Sequence, residues 1–114
     1  MKPRVTYVVF DCADPGSLAA FWMEALGYEK KSGGDAWVEI VDPAGTGPGL
    51  FFQRVPEPKA VKNRVHIDLR HDDVPAEIER LCTLGARKGP VQAHEDLTVL
   101  LDPEGNEFCI YGGM

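Results

Sequence analysis

Asp42-Pro43-Ala44-Gly45 returns 60 residues later as Asp102-Pro103-Glu104-Gly105. Working outward from this pair, Leu26-Gly27 returns as Leu84-Gly85 after 58 residues, and Asp14 returns as Asp73 after 59. Three anchors that drift by no more than two residues mark one supersecondary unit written twice, with small insertions between. Two such half-modules are expected to build a ligand site jointly, in the concavity between them.

Each half reads in the same order. Residues 4–12 are rich in β-branched and aromatic side chains and predict a strand. Asp14-Pro15 predicts a helix start, because Asp accepts from the open amides and Pro loses nothing at the first helical position. Leu18, Phe21, Trp22, Ala25 and Leu26 then form one apolar stripe, which Gly27 ends. Residues 28–31 predict a weak strand, Ser32-Gly33-Gly34-Asp35 a turn, residues 36–41 a strand, Asp42-Pro43-Ala44-Gly45 a second turn, and residues 50–55 a closing strand. Residues 56–63 carry Pro56, Pro58 and alternating charge, the signature of a semi-extended linker. In the second half, residues 64–70 predict a strand, and Asp73 caps a helix through Ile78, Leu81 and Leu84 to Gly85. Strands follow at 86–88, 96–101 and 107–111, with Gly89-Pro90 breaking the first from the second. Helices of about three turns are unstable alone and must lay their stripes on a sheet. The fold class expected is α+β: two βαβββ modules forming a curved mixed sheet around a cleft, helices outside.

The 114 residues suffice for one compact domain, and each half is too short for a core of its own. Hydrophobic content of 44% with 26% charged residues is that of a soluble globular protein. A formal charge of -6 argues against nucleic acid, which rewards a basic face. No apolar run approaches the roughly 18–20 residues of a membrane span. Met1-Lys2-Pro3-Arg4 leads into the first strand without the apolar stretch of a secretory signal. Cys12, Cys82 and Cys109 are an odd, scattered set without a Cys-x-x-Cys pair, which fits reduced thiols in a cytoplasmic protein.

The βαβββ repeat, Asp14-Pro15 with Phe21-Trp22 and Leu26-Gly27, Val65-His66-Ile67-Asp68-Leu69, and the closing Asp102-Pro103, Gly105-Asn106 and Phe108 resemble the vicinal oxygen chelate superfamily. That superfamily holds glyoxalase I, the bleomycin-resistance proteins and the extradiol dioxygenases. Within it the chain is similar to the small glyoxalase-like domain proteins of bacteria, from about Val5 to Tyr111. The resemblance implies one glyoxalase-like domain over residues 1–114, with module one at about 4–55, a linker at 56–63 and module two at about 64–112. It also implies a homodimer.

The superfamily's enzymes hold one divalent metal with four His or Glu side chains, from the first and last strand of each module. The resemblance places these at Tyr7, at Phe51 or Gln53, at His66 and at Cys109. One His and one Cys cannot supply the imidazole and carboxylate set of a hard divalent ion. Zinc accepts both, but a catalytic zinc needs about three protein ligands. Asp68 lies two residues past His66, on the same strand face, and adds a second donor from one strand. The expectation is no metal and no other cofactor, with a divalent metal at His66 as the alternative.

Alternation sets Val65, Ile67 and Leu69 on one face of their strand and His66, Asp68 and Arg70 on the other. His66 and Asp68 then read as an acid–base pair facing the cleft, or as a packed histidine beside a solvated carboxylate. Cys109 reads as a small buried hydrophobe and Trp22 as helix-stripe core. Trp37 and Phe51 stand on cleft-lining strands, with core packing as the alternative. His71-Asp72-Asp73 and His94-Glu95-Asp96 read as loop charges and a helix cap. Gly47-Pro48-Gly49 is a turn signal rather than a phosphate loop, since no lysine or helix follows it.

The function expected is small-molecule binding in the cleft, in the manner of bleomycin-resistance proteins, through Tyr7, Trp37, Phe51, Gln53, His66 and Cys109. The alternative is a metal-free or atypical lyase, isomerase or dioxygenase that uses His66 and Asp68 as acid and base. The partners expected are a small-molecule ligand and a second copy of the chain, with neither nucleic acid nor membrane.

Overall fold

The computed structural model describes residues 1–89 and 97–112. The chain divides into two compact units, Met1–Pro58 and Lys59–Met114. The first contains β1 (Tyr7–Cys12), α1 (Pro15–Leu26), β2 (Glu29–Gly33), β3 (Trp37–Val41) and β4 (Gly49–Arg54). The second contains β5 (Asp68–Arg70), α2 (Val74–Leu84), β6 (Arg87–Lys88), β7 (Thr98–Leu101) and β8 (Glu107–Tyr111). The sheets have strand orders β1-β4-β3-β2 and β5-β8-β7-β6. In each, the first strand pairs parallel with the last, and the other pairings are antiparallel. The fold is α+β, built from two βαβββ modules.

The repeated residues repeat their physics. Asp14 accepts the Ser17 amide at 3.2 Å, and Asp73 accepts the Ala76 amide at 3.2 Å, so both helices start on a carboxylate cap. Gly27, at φ 71°, ends α1 in the left-handed region, and its amide donates to the Met23 carbonyl at 2.8 Å. Asp42 accepts from the amides of Ala44, Thr46 and Gly47 and from the Thr46 hydroxyl, at 2.8–3.2 Å. Asp102 accepts from the Glu104 and Asn106 amides and from the Asn106 side chain, at 2.9–3.1 Å. The Asp-Pro-x-Gly turns are thus held by their own carboxylates.

Packing assigns a face to each strand. Helix α1 lies on β3 and β4. It buries Leu18, Ala19, Phe21 and Trp22 against Val38, Ile40, Leu50 and Phe52. The Phe10 ring joins them, 5.7 Å from Trp22 and 5.1 Å from Phe52. In the second unit α2 packs on β8, and Leu81, Leu100, Phe108 and Ile110 are buried.

Several expected boundaries move. The strand expected at 4–12 begins at Tyr7, because its parallel partner β4 begins at Gly49, directly after Pro48, which has no amide to extend the ladder. Ser32 and Gly33, expected in a turn, belong to β2, which bulges between Lys30 and Ser32. Gly33 sits at φ 139°, and a Cβ there would lie 2.5 Å from the Trp37 carbonyl oxygen, so only glycine lets the strands close. The strand expected at 64–70 is only Asp68–Arg70, so His66 precedes it, and Val65 is 77% exposed. Just upstream, the Ile67 carbonyl accepts the Cys109 amide at 3.0 Å, and further back Glu107 accepts the Asn63 amide at 3.0 Å and pairs with Lys59 at 3.2 Å. Ala25 and Leu26 in α1, and Ile78 and Leu84 in α2, are only partly buried. Pro90 and the His94-Glu95-Asp96 segment lie outside the described residues.

Candidate functional site

The first module presents a second, helix-free face. Since Val8, Phe10 and Cys12 point toward the α1 side, alternation turns Tyr7, Val9 and Asp11 to the other. Register carries that face across the sheet, with Val9 opposite Phe51, Phe51 opposite Glu39, and Gln53 opposite Trp37. Trp37 and Phe51 stack with ring centroids 5.3 Å apart and planes 9° from parallel. Trp37 is 39% exposed and Val9 53% exposed. Val9, Phe51 and Trp37 therefore form an apolar shelf across three strands, open on its outer side.

Polar groups border the shelf on both sides. On one, the Tyr7 hydroxyl donates to Glu39 Oε2, and the Ser32 hydroxyl donates to Glu39 Oε1 at 2.7 Å. On the other, Gln53 Nε2 donates to Asp11 Oδ1 at 2.8 Å. The Tyr7 and Ser32 hydroxyls hold the Glu39 carboxyl below its ordinary range, with Lys31, 4.0 Å away, adding a little. The same bond, with burial and the Glu39 charge, pushes the Tyr7 phenol up. Tyr7 reaches Glu39 because its ring passes over Gly49, where a Cβ would lie 2.4 Å from the ring. An open hollow of about 550 Å³, lined by Arg4, Thr6, Tyr7, Asp42 and Gly47, adjoins the same tyrosine.

The second module carries a different group. His66 Nε2 lies 3.1 Å from Asp68 Oδ1. Asp68 stands directly opposite Cys109 in the parallel β5–β8 ladder, so their side chains share a face. Donor atoms of His66, Asp68 and Cys109 all lie within 4.8 Å of one another, and no other such group of His, Cys, Asp and Glu forms among the described residues. The thiol is buried, and burial, then the Asp68 charge, push its pKa up. At neutral pH Cys109 is therefore a thiol, unsuited to act as a nucleophile.

Tyr7, Trp37, Phe51 and Gln53 thus share one face of the first module, while His66, Asp68 and Cys109 share one face of the second. Glu39, Ser32, Asp11 and Val9 belong with the first group and were missed. Glu39 was findable, since it lies two residues from Trp37 on a segment read as a strand, and so on the same face. Ser32 was hidden because its segment reads as a turn.

The glyoxalase-like domain family matches this sequence over residues 7–111. The chain belongs to that family. Solved structures share the fold at low identity. A glyoxalase/bleomycin resistance protein/dioxygenase family enzyme from Burkholderia phytofirmans is 18% identical, with a TM-score of 0.77 over 98% of this chain and 100% of that one. The bleomycin-binding protein of Streptomyces verticillus, solved with copper(II)-bleomycin, is 19% identical, with a TM-score of 0.67 over 100% and 99%. An antibiotic binding protein from a Streptomyces species is 21% identical, with a TM-score of 0.69 over 99% and 98%. Among curated proteins none matches this sequence.

At the four positions that the resemblance gives to the superfamily's metal, this glyoxalase-like chain carries one His or Glu, His66. Val9 faces Phe51 as Asp68 faces Cys109, which makes Phe51, not Gln53, the counterpart of Cys109. The first-module positions are then a phenyl ring and a phenol bonded to Glu39. No helix among the described residues is long and apolar enough to cross a membrane.

Proposed function

We propose that this glyoxalase-like protein binds a small planar organic cation on the helix-free face of its first module, without the superfamily's four-residue metal. The observation that carries the reading is the exposed Trp37–Phe51 stack lying between two carboxylate-bearing pairs, Tyr7–Glu39 and Asp11–Gln53. A flat ligand gains apolar and stacking contact on the shelf, and a positive charge is drawn to the ring faces and to the flanking carboxylates. The formal charge of -6 favours a cation at longer range. His66 and Cys109 belong to the other module and are not needed for this platform. Relatives that bind bleomycin or another antibiotic support small-molecule capture as the role.

Titration with proflavine, a planar cation, tests it through tryptophan fluorescence. Trp22 is fully buried and Trp37 is not, so direct quenching reports Trp37. Proflavine should raise the melting temperature, as any native-state ligand must, and Trp37→Ala and Glu39→Gln should each weaken it. Equal affinity in both variants, or preference for an anionic anilinonaphthalene sulfonate, refutes the reading. The homodimer implied by the resemblance is tested by sedimentation equilibrium.

One observation favours a second reading, a metal-free lyase, isomerase or dioxygenase-type enzyme. His66 Nε2 and Asp68 Oδ1 are in hydrogen-bonding range at 3.1 Å, so the carboxylate can orient the imidazole that would move a proton. If it holds, His66→Ala and Asp68→Ala abolish turnover and leave the melting temperature unchanged.

A further inference from the structure

We propose that the hollow at the Arg4 end of β1 binds an α-amino acid with an apolar side chain, its carboxylate on Arg4 and its ammonium on Asp42. The site lies within the first module and calls on neither the Trp37–Phe51 shelf nor His66 and Cys109. It is built by the first Asp-Pro-x-Gly turn. Gly49 donates its amide to the Thr6 carbonyl at 2.8 Å, which lays the chain before β1 beside the connection from β3 to β4. Tyr28 braces that connection, its hydroxyl donating to the Pro48 carbonyl at 2.9 Å. The hollow's volume of about 550 Å³ falls within the roughly 300–1,000 Å³ of small-molecule pockets.

Two opposite charges line this hollow without meeting. Among the described residues no ion pair involves Arg4 or Asp42. Arg4 is exposed, and a guanidinium matches a carboxylate with two parallel N–H bonds. Asp42 Oδ2 is filled by Thr46 and Gly47, but Oδ1 accepts only the Ala44 amide, at 2.9 Å, and keeps a lone pair for an ammonium. The Ala44 amide, then the Thr46 hydroxyl, hold the Asp42 carboxyl below its ordinary range, so it stays negative at neutral pH. A simple cation is opposed by Arg4 and a simple anion by Asp42. An α-amino acid suits both, because it carries both charges on one carbon. The rest of the wall is apolar. Val5 is 77% exposed, Val41 is half-buried and Pro48 is exposed, so an aliphatic side chain on the ligand takes their surface out of water.

The test is titration of the isotope-labelled full chain with L-leucine, followed by the NMR shifts of its backbone amides. The amides of Thr6, Thr46 and Gly47 should move together and saturate as one site. Isocaproate, which lacks the ammonium, and isoamylamine, which lacks the carboxylate, should each bind about 10–100-fold more weakly, the worth of one hydrogen bond to a charged group. Arg4→Gln should lose the same factor for L-leucine without weakening isoamylamine. Glycine, with no side chain to cover the valines, should bind at least about tenfold more weakly than L-leucine. Arg4 is exposed and precedes β1, so its variant keeps the fold, and the ligand series needs no variant at all. The absence of a saturable shift at the turn overturns the proposal. So does equal affinity for L-leucine and any of isocaproate, isoamylamine or glycine, or an unchanged L-leucine affinity in Arg4→Gln.

Discussion

Replacing Asp102 by alanine tests whether the repeated turns are held by hydrogen bonds as such or by their burial. Asp102 and Asp42 stand at matching places in the repeat, and the carboxylate of each accepts from amides and side chains of its own turn. They differ in water. Asp102 has no exposed surface and Asn106 is nearly as buried, whereas Ala44 and Thr46 beside Asp42 are exposed. Alanine at 102 strands the Asn106 amide and side-chain donors inside the protein, at about 1–3 kcal/mol each. Releasing a buried carboxylate from its own desolvation offsets part of this. The net loss expected is about 3 kcal/mol, a large share of the roughly 5–15 kcal/mol that holds a domain folded. At Asp42 water replaces the lost acceptor, and the loss should be clearly smaller. Urea unfolding by circular dichroism measures both variants. With a slope near 2 kcal/mol per molar, Asp102→Ala should lower the midpoint by about 1.5 M. Both tryptophans, Trp22 and Trp37, lie in the first module, so fluorescence reports that module alone. Equal midpoint shifts for the two variants, or a shift below about 0.5 M for Asp102→Ala, would refute the argument from burial.

Gly49→Ala should cost about 1–3 kcal/mol by overpacking and drive the Tyr7 ring off Glu39; ultraviolet titration should then show Tyr7 returning toward the ordinary tyrosine value of 10.0. The Tyr7–Glu39 bond makes a pH window. Glu39 has a lowered folded pKa, so its contribution is complete above the unfolded value of 4.5 and fades as pH falls through the folded one. Tyr7 has a raised folded pKa, so its contribution is complete below 10.0 and fades as pH rises through the folded value. Subtracting the stability–pH curve of Tyr7→Phe from that of the unaltered chain should show the difference collapsing at both ends, and a flat difference counts against the bond. Phe52→Ala, in the α1 core, should cost about 3–5 kcal/mol in urea, while Val9→Ala, on the open shelf, should stay within about 0.5 kcal/mol.

The sequence by itself determined what is local. Asp14 and Asp73 cap helices, Gly27 ends one, and the two Asp-Pro-x-Gly turns close on their own carboxylates, because each feature needs only a few neighbouring residues. Written twice, those signals were enough for two βαβββ modules and for the family. Tertiary structure decided what depends on register. The first and last strands of each module pair in parallel from distant stretches of sequence, and a slip of one residue would turn every side chain to the opposite face. Only that pairing put Phe51 under Trp37, carried Tyr7 over Gly49 to Glu39, and set Cys109 against Asp68. Side chains that meet across strands leave no mark in the spacing of residues along the chain, which is why the modules were legible in the sequence and the groupings on their faces were not.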